Sequence, residues 1–212
     1  MMKVLSQVIK RIQKQRGIKL KKIALDFDGT IANTNLQKSV LVKKKFGLDL
    51  PAWQCDRTFL VPQIGEVAYQ EIADIVYERE ATLQTPPLAH SVEKIPSLAE
   101  KFDLFLLTAR PQRRLEFAAE WLEKYRISTC FKALLSSHLY DHTWRPKLEI
   151  CQEQQFDLLL EDDLRHLAKN GFETITKVLI KEGCLLTLDL PDGVRFMCGW
   201  DDFYNFCMVE FQ

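Results

Sequence analysis

Two spacings of apolar residues alternate along the chain. Short, nearly continuous apolar runs at 22–27, 103–108, 131–135, 156–161 and 175–180 read as strands buried on both faces, whereas 92–101, 112–124, 146–154 and 163–170 show the wider spacing of helices with one apolar face. Strand and helix in turn, with short connections, predict right-handed crossovers and an α/β fold: a three-layer sandwich with a mostly parallel central sheet between helices. About 70 residues separate the first strand from the second, far more than a crossover needs. They hold a helix over 36–46 stopped by Gly47, a turn at Pro51-Ala52-Trp53 and a longer helix near 65–84. After the last strand come an apolar segment from 185, a Pro191-Asp192-Gly193 turn and a terminal helix that Asp201 and Asp202 open.

Charge alters this picture at one end. Residues 1–22 hold eight Lys or Arg and no acid, so the rest of this formally neutral chain carries a net −8. Val4, Leu5, Val8, Ile9 and Ile12 share one helical face, which predicts a basic amphipathic helix over 1–20 docked by its apolar stripe. With 47% apolar residues over 212 positions, a catalytic domain plus a modest insertion can build a core. The six cysteines show no metal-binding spacing and read as reduced thiols of a cytoplasmic protein. No apolar run approaches the ~18 residues that span a bilayer, and the N-terminal stretch is too broken for a secretory signal.

The candidate chemistry sits where strands end. Ile23-Ala24-Leu25-Asp26-Phe27-Asp28-Gly29-Thr30 closes an apolar run with two carboxylates two residues apart, so that Asp26 and Asp28 share a face and Gly29 lets the chain turn away. Two anions held together invite a divalent cation. Leu104-Phe105-Leu106-Leu107-Thr108-Ala109-Arg110-Pro111 ends in a hydroxyl and a cation, Pro146 opens a helix carrying Lys147, and Phe156 to Asp163 closes on Glu161, Asp162 and Asp163. Lys132 competes with Lys147 but starts a strand, away from the site face. Such acids also occur in turns and in calcium loops, yet Ile31-Ala32 supplies no further oxygen ligands.

These four motifs, in this order over about residues 22–180, resemble those of haloacid dehalogenase (HAD) superfamily phosphatases. The resemblance implies a Rossmann-like core and magnesium held by Asp26, the Asp28 main-chain carbonyl and Asp162, with Glu161 and Asp163 assisting through water. It makes Asp26 the nucleophile and Asp28 the general acid/base, while Thr108, Ala109, Arg110 and Lys147 bind the phosphoryl group. Hydrolysis of a small phosphate monoester through an aspartyl phosphate follows. The core would comprise 21–33 and 91–212, with a helical cap at 34–90. Trp53, Arg57, Phe59, Tyr69 and His90 are candidates for reading the substrate. In overall look the motifs are most similar to the 5'(3')-deoxyribonucleotidase group, which makes a (deoxy)nucleoside monophosphate one candidate substrate. Phosphosugar or phosphoglycolate-type phosphatases and a catalytically silent binding protein remain alternatives. So does a nucleic-acid end phosphatase, which a sealing cap disfavours because a polymer needs an open groove. Oligomeric state is not legible in the sequence.

Overall fold

The computed structural model describes residues 19–139, 143–184 and 188–211. The basic helix expected at 1–20 lies almost wholly outside them. A seven-stranded sheet forms the centre, in the order β4-β3-β2-β1-β5-β6-β7. Its strands are β1 (Lys22–Leu25), β2 (Asp103–Pro111), β3 (Phe131–Leu139), β4 (Thr143–Trp144), β5 (Leu158–Glu161), β6 (Thr176–Ile180) and β7 (Val194–Met197). Six run parallel, and only the two-residue β4 pairs antiparallel, at the edge. This is the expected α/β, Rossmann-like architecture.

Alternation along β1 explains the layers. Ile23 and Leu25 point to one face, with Leu104, Leu106, Leu158 and Leu160 of the flanking strands, and pack against Trp121, Trp200 and Phe203. Ala24 points to the other, with Leu107, Leu159 and Leu179, against Leu148 and Cys151. The helices covering these faces are α5 (Ser91–Lys101), α6 (Gln112–Lys124), α7 (Lys147–Gln154) and α8 (Trp200–Val209). Between β1 and β2 the chain inserts α1 (Thr34–Phe46), a 3₁₀ turn (Ala52–Gln54), α2 (Arg57–Ile64), α3 (Glu66–Val76) and α4 (Arg79–Gln84). The insert has its own small core of Val42, Cys55, Leu60, Tyr69, Ile72 and Ala73.

Several boundaries differ from the sequence expectation for local reasons. The helix expected near 65–84 is two helices, because Glu78 is extended (φ −67°, ψ 156°) between them. The helix expected at 163–170 is a single 3₁₀ turn, Leu164–His166: the Asp163 side chain accepts from the Arg165 amide, and Asn170-Gly171 follows too soon for an α-helix to propagate. The strands β4 and β7 were not anticipated, both being short and only partly apolar.

The strand order matters for function. From β1 the chain proceeds outward through β2 and β3 on one side and through β5, β6 and β7 on the other, so the sheet order reverses at β1. The crevice beyond the carboxyl end of a strand at such a switch point is where open α/β sheets bind ligands. Asp26 is the first residue past that end.

Candidate active site

β1 hands over to a turn that holds the site. The Asp26 amide still bonds the Leu160 carbonyl (3.0 Å), after which the chain curls so that Ile31 and Ala32 donate back to Phe27 (3.0 and 2.9 Å). Gly29 makes the curl possible. Its φ is +77°, and a Cβ there would overlap Asp162 Oδ2 and Asn35 Nδ2.

Three elements, α7, β5 and α1, bring side chains to the surroundings of Asp26. Lys147, in the first turn of α7, places its Nζ 2.5 Å from Asp26 Oδ1 and 2.6 Å from Glu161 Oε2, with all three side chains buried. Asp162, next after β5, accepts from Asn35 Nδ2 of α1 at 2.7 Å. One ligand oxygen each from Asp26, Glu161 and Asp162 lie within 4.8 Å of one another. Lys147 thus pairs with two of the three buried carboxyls, and Asp162 is left to the Asn35 amide. Burial, reinforced by neighbouring carboxylates, raises Asp26 and Glu161 to about 8 against the pull of Lys147, and raises Asp162 to about 7. An all-oxygen donor set with excess buried negative charge fits a hard divalent cation such as magnesium.

Asp28 faces differently. Arg110, at the far end of β2, forks onto it, Nε to Oδ2 at 2.7 Å and Nη2 to Oδ1 at 2.8 Å. The remaining guanidinium nitrogen donates to Thr82 of α4 (2.7 Å), and the plane lies against Phe27 and Tyr77. Thr108 is buried, and its Oγ1 accepts from the Arg110 amide (3.1 Å). Asp163 takes hydrogen bonds from Thr58 and Arg165; despite burial, Arg165 holds it down at about 2.

A cavity of about 80 Å³ opens among these groups. Asp26, Asp28, Ala109, Arg110, Lys147 and the acids 161–163 line it, whereas Thr108 is not in its wall. From the insert, Arg57 and Tyr69 reach it as candidates already legible in the sequence. Trp53 instead lines a separate small cavity and packs edge-on against Phe59, while exposed His90 pairs with Asp201 at 2.6 Å. Sequence reasoning missed Lys38, Asp56, Tyr77 and His166, all in the wall. One signal was available for Lys38: Asn35, Lys38 and Val42 mark the buried face of α1, a stripe with polar residues where apolar ones belong. His166 Nδ1 is buried without a partner, and burial together with Lys147 lowers its pKa to about 3, leaving a neutral imidazole.

Fold and carboxylate cluster together define a Rossmann-like α/β protein with an acidic centre at the topological switch point. Solved HAD-superfamily hydrolases share this architecture. The chain superposes on a haloacid dehalogenase-like hydrolase from Streptococcus pneumoniae with a TM-score of 0.60 at 15% identity, over 91% of this chain and 99% of that one. The L-2-haloacid dehalogenase from Xanthobacter autotrophicus with chloropropionic acid covalently bound gives 0.55 at 10%, over 91% and 100%. A HAD-type hydrolase from Bacillus subtilis bound to magnesium gives 0.55 at 13%, over 90% and 100%. No family model and no curated protein matches the chain. Since phosphatases and a dehalogenase populate one fold, the fold leaves the reaction to the site residues.

Proposed function

We propose that this protein hydrolyses compact phosphate monoesters, with magnesium, through an aspartyl phosphate on Asp26, beneath a helical cap formed by residues 34–90. The observation that carries the reading is the cluster of buried Asp26, Glu161 and Asp162 at the switch point, with Lys147 paired to the first two. Asp26 and Asp162, with the Asp28 main-chain carbonyl and Glu161 beside them, would hold the metal, which supplies charge neutralisation for a dianionic ester.

An Asp26 carboxylate oxygen attacks phosphorus as the bond from phosphorus to the leaving oxygen breaks, and Lys147 steadies both the nucleophile and the phosphoryl charge. Asp28 gives its proton to the departing oxygen. Water then attacks the phosphorus of the aspartyl phosphate, Asp28 takes the proton from that water, and inorganic phosphate and free Asp26 result. In this sequence Arg110 exchanges its partner, leaving the Asp28 carboxylate for the phosphoryl oxygens when substrate arrives. Ala109 lines the same approach, and Thr108 holds the Arg110 main chain in place.

Cavity size argues for a compact leaving group. The cavity beside Asp26 is small, and Trp53, the aromatic best suited to stack on a base, lies outside it. A nucleoside monophosphate therefore ranks below a small phosphorylated metabolite. All six cysteines are thiols, and no described helix is long and apolar enough to cross a membrane. We place the protein in the cytoplasm on the thiols alone.

The test is a hydrolysis screen over small phosphorylated acids, phosphosugars, nucleoside monophosphates and 5'-phosphorylated oligonucleotides, with magnesium or with chelator. Turnover concentrated on the small esters and lost in chelator is expected. Equal rates in chelator would remove the metal-assisted reading, and selective turnover of oligonucleotides would replace the enclosed site with an open groove.

A further inference from the structure

The three carboxyls of the acidic centre are held by different donors. Asp26 and Glu161 both take the Lys147 ammonium (2.5 and 2.6 Å), whereas Asp162 accepts from a neutral group, the Asn35 side-chain amide, at 2.7 Å from Nδ2 to Oδ2. Asn35 is buried in the first turn of α1, where the insert leaves the core. The main chain sets its place. The Asn33 amide bonds the Pro86 carbonyl (2.8 Å), and the Asn33 side chain caps the helix by accepting from the Leu36 amide.

Lys38, buried one turn further along α1, fixes which way that amide points. An ammonium can only donate, so the bond from its Nζ to Asn35 Oδ1 (3.1 Å) turns the amide oxygen toward Lys38 and leaves Nδ2 to face Asp162. The charge behind the oxygen polarises the amide and strengthens the N–H it presents. Gly29 clears the path between the two side chains. A Cβ there would overlap Asp162 Oδ2 and Asn35 Nδ2, the two atoms that form this bond. Three residues of separate origin thus serve one hydrogen bond to one oxygen of Asp162.

Resting on the metal centre of the reading above but not on hydrolysis, we infer that Asn35, oriented by Lys38, is a positioning residue that makes Asp162 a one-oxygen metal ligand. With Oδ2 taken by a polarised N–H, a cation approaching both carboxylate oxygens together meets that donor, and ligation through the other oxygen is favoured. One oxygen from each carboxylate suits magnesium, which demands near-octahedral geometry, whereas calcium accepts two from the same carboxylate. The insert thereby shapes the metal centre, although none of the three acids belongs to it.

The experiment is titration calorimetry of the full chain with magnesium and with calcium, for the wild type, Asn35→Ala, Lys38→Met and Lys38→Arg, with the Tm of each in chelator as the control for folding. Loss of the group that orients a metal ligand predicts about 10- to 100-fold weaker magnesium binding in Asn35→Ala. Calcium should weaken much less, so the ratio of calcium to magnesium affinity rises. Lys38→Met frees the amide to turn and should move the ratio the same way by a smaller factor, while Lys38→Arg keeps a donor on Oδ1 and should retain most of the wild-type value. A merely structural role would weaken both cations in proportion, so an unchanged ratio in Asn35→Ala overturns the inference. Lys38→Met, which leaves Asn35 in place, carries the same test if Asn35→Ala does not fold. A shifted ratio in a protein that hydrolyses no ester supports the positioning role and sinks the hydrolytic reading alone. Magnesium-dependent hydrolysis with an unshifted ratio does the reverse, and a wild type that binds neither cation overturns both.

Discussion

Gly29 shows how narrowly single residues define this site. Its left-handed φ and the nearness of Asp162 and Asn35 to where a Cβ would sit leave no room for a methyl group, so Gly29→Ala should displace the acidic cluster. We expect a stability loss of about 1–3 kcal/mol in chemical denaturation, with a larger loss of magnesium affinity by titration calorimetry. Asp26→Asn keeps the volume and the Lys147 contact but not the nucleophile. It should fold as the wild type does and lose at least ~10³-fold in turnover, and near-normal turnover from a preparation free of other phosphatases would exclude a covalent role. Asp26, Asp28, Gly29, Glu161 and Asp162 were readable in the sequence because strand alternation and turn chemistry place them locally. Lys38, Asn35 and Tyr77 were not, since their importance comes from partners 31 to 127 residues away.

Among elements, the question is what fixes the insert over the strand ends. A buried ion pair joins Asp56, which caps α2, to Lys181 just beyond β6, each side chain 2% exposed. Thr58 adds a hydrogen bond to Asp163 (3.0 Å), and Arg114 of α6 reaches Asp74 and Glu78 of the insert. Removing one partner leaves a buried charge, so Lys181→Met should cost about 3–5 kcal/mol in urea denaturation. The double variant Asp56→Leu, Lys181→Met should recover a good part of this, since the pair rather than either ion is what burial tolerates. Additive losses would show that each ion has separate partners. A helical insert was legible from the length and apolar spacing of the segment between β1 and β2. The breaks at Gly65 and Glu78, and the collapse of the helix at 163–170 into one turn around Asp163, come from local backbone and side-chain geometry that apolar spacing does not register.

Over the whole molecule, the acidic centre couples stability to pH and metal. Asp26, Glu161 and Asp162 titrate at about 8, 8 and 7 in the fold, above the values of an unfolded chain, so the folded protein retains protons that the unfolded chain has released. The stability of the metal-free protein therefore falls as pH rises from about 4 toward 8. Asp163, held at about 2, acts in the opposite sense and only in more acid solution. Calorimetric Tm in chelator should be lower at pH 8 than at pH 5.5, and magnesium should raise it more at pH 8, because binding requires deprotonated ligands. A Tm independent of pH in chelator would mean that the cluster is compensated without metal. The parallel sheet that builds this centre was legible from its buried apolar runs, whereas the edge strands β4 and β7 had too few apolar positions to be seen.

The central claim is covalent phosphate transfer to Asp26. Rapid acid quench during turnover of a small phosphorylated acid with magnesium, followed by peptide mass analysis, should find a phosphoryl group on the peptide carrying Asp26, absent in Asp26→Asn and in chelator. Steady hydrolysis with that peptide unmodified, under conditions where a control aspartyl phosphate survives the quench, would contradict the account.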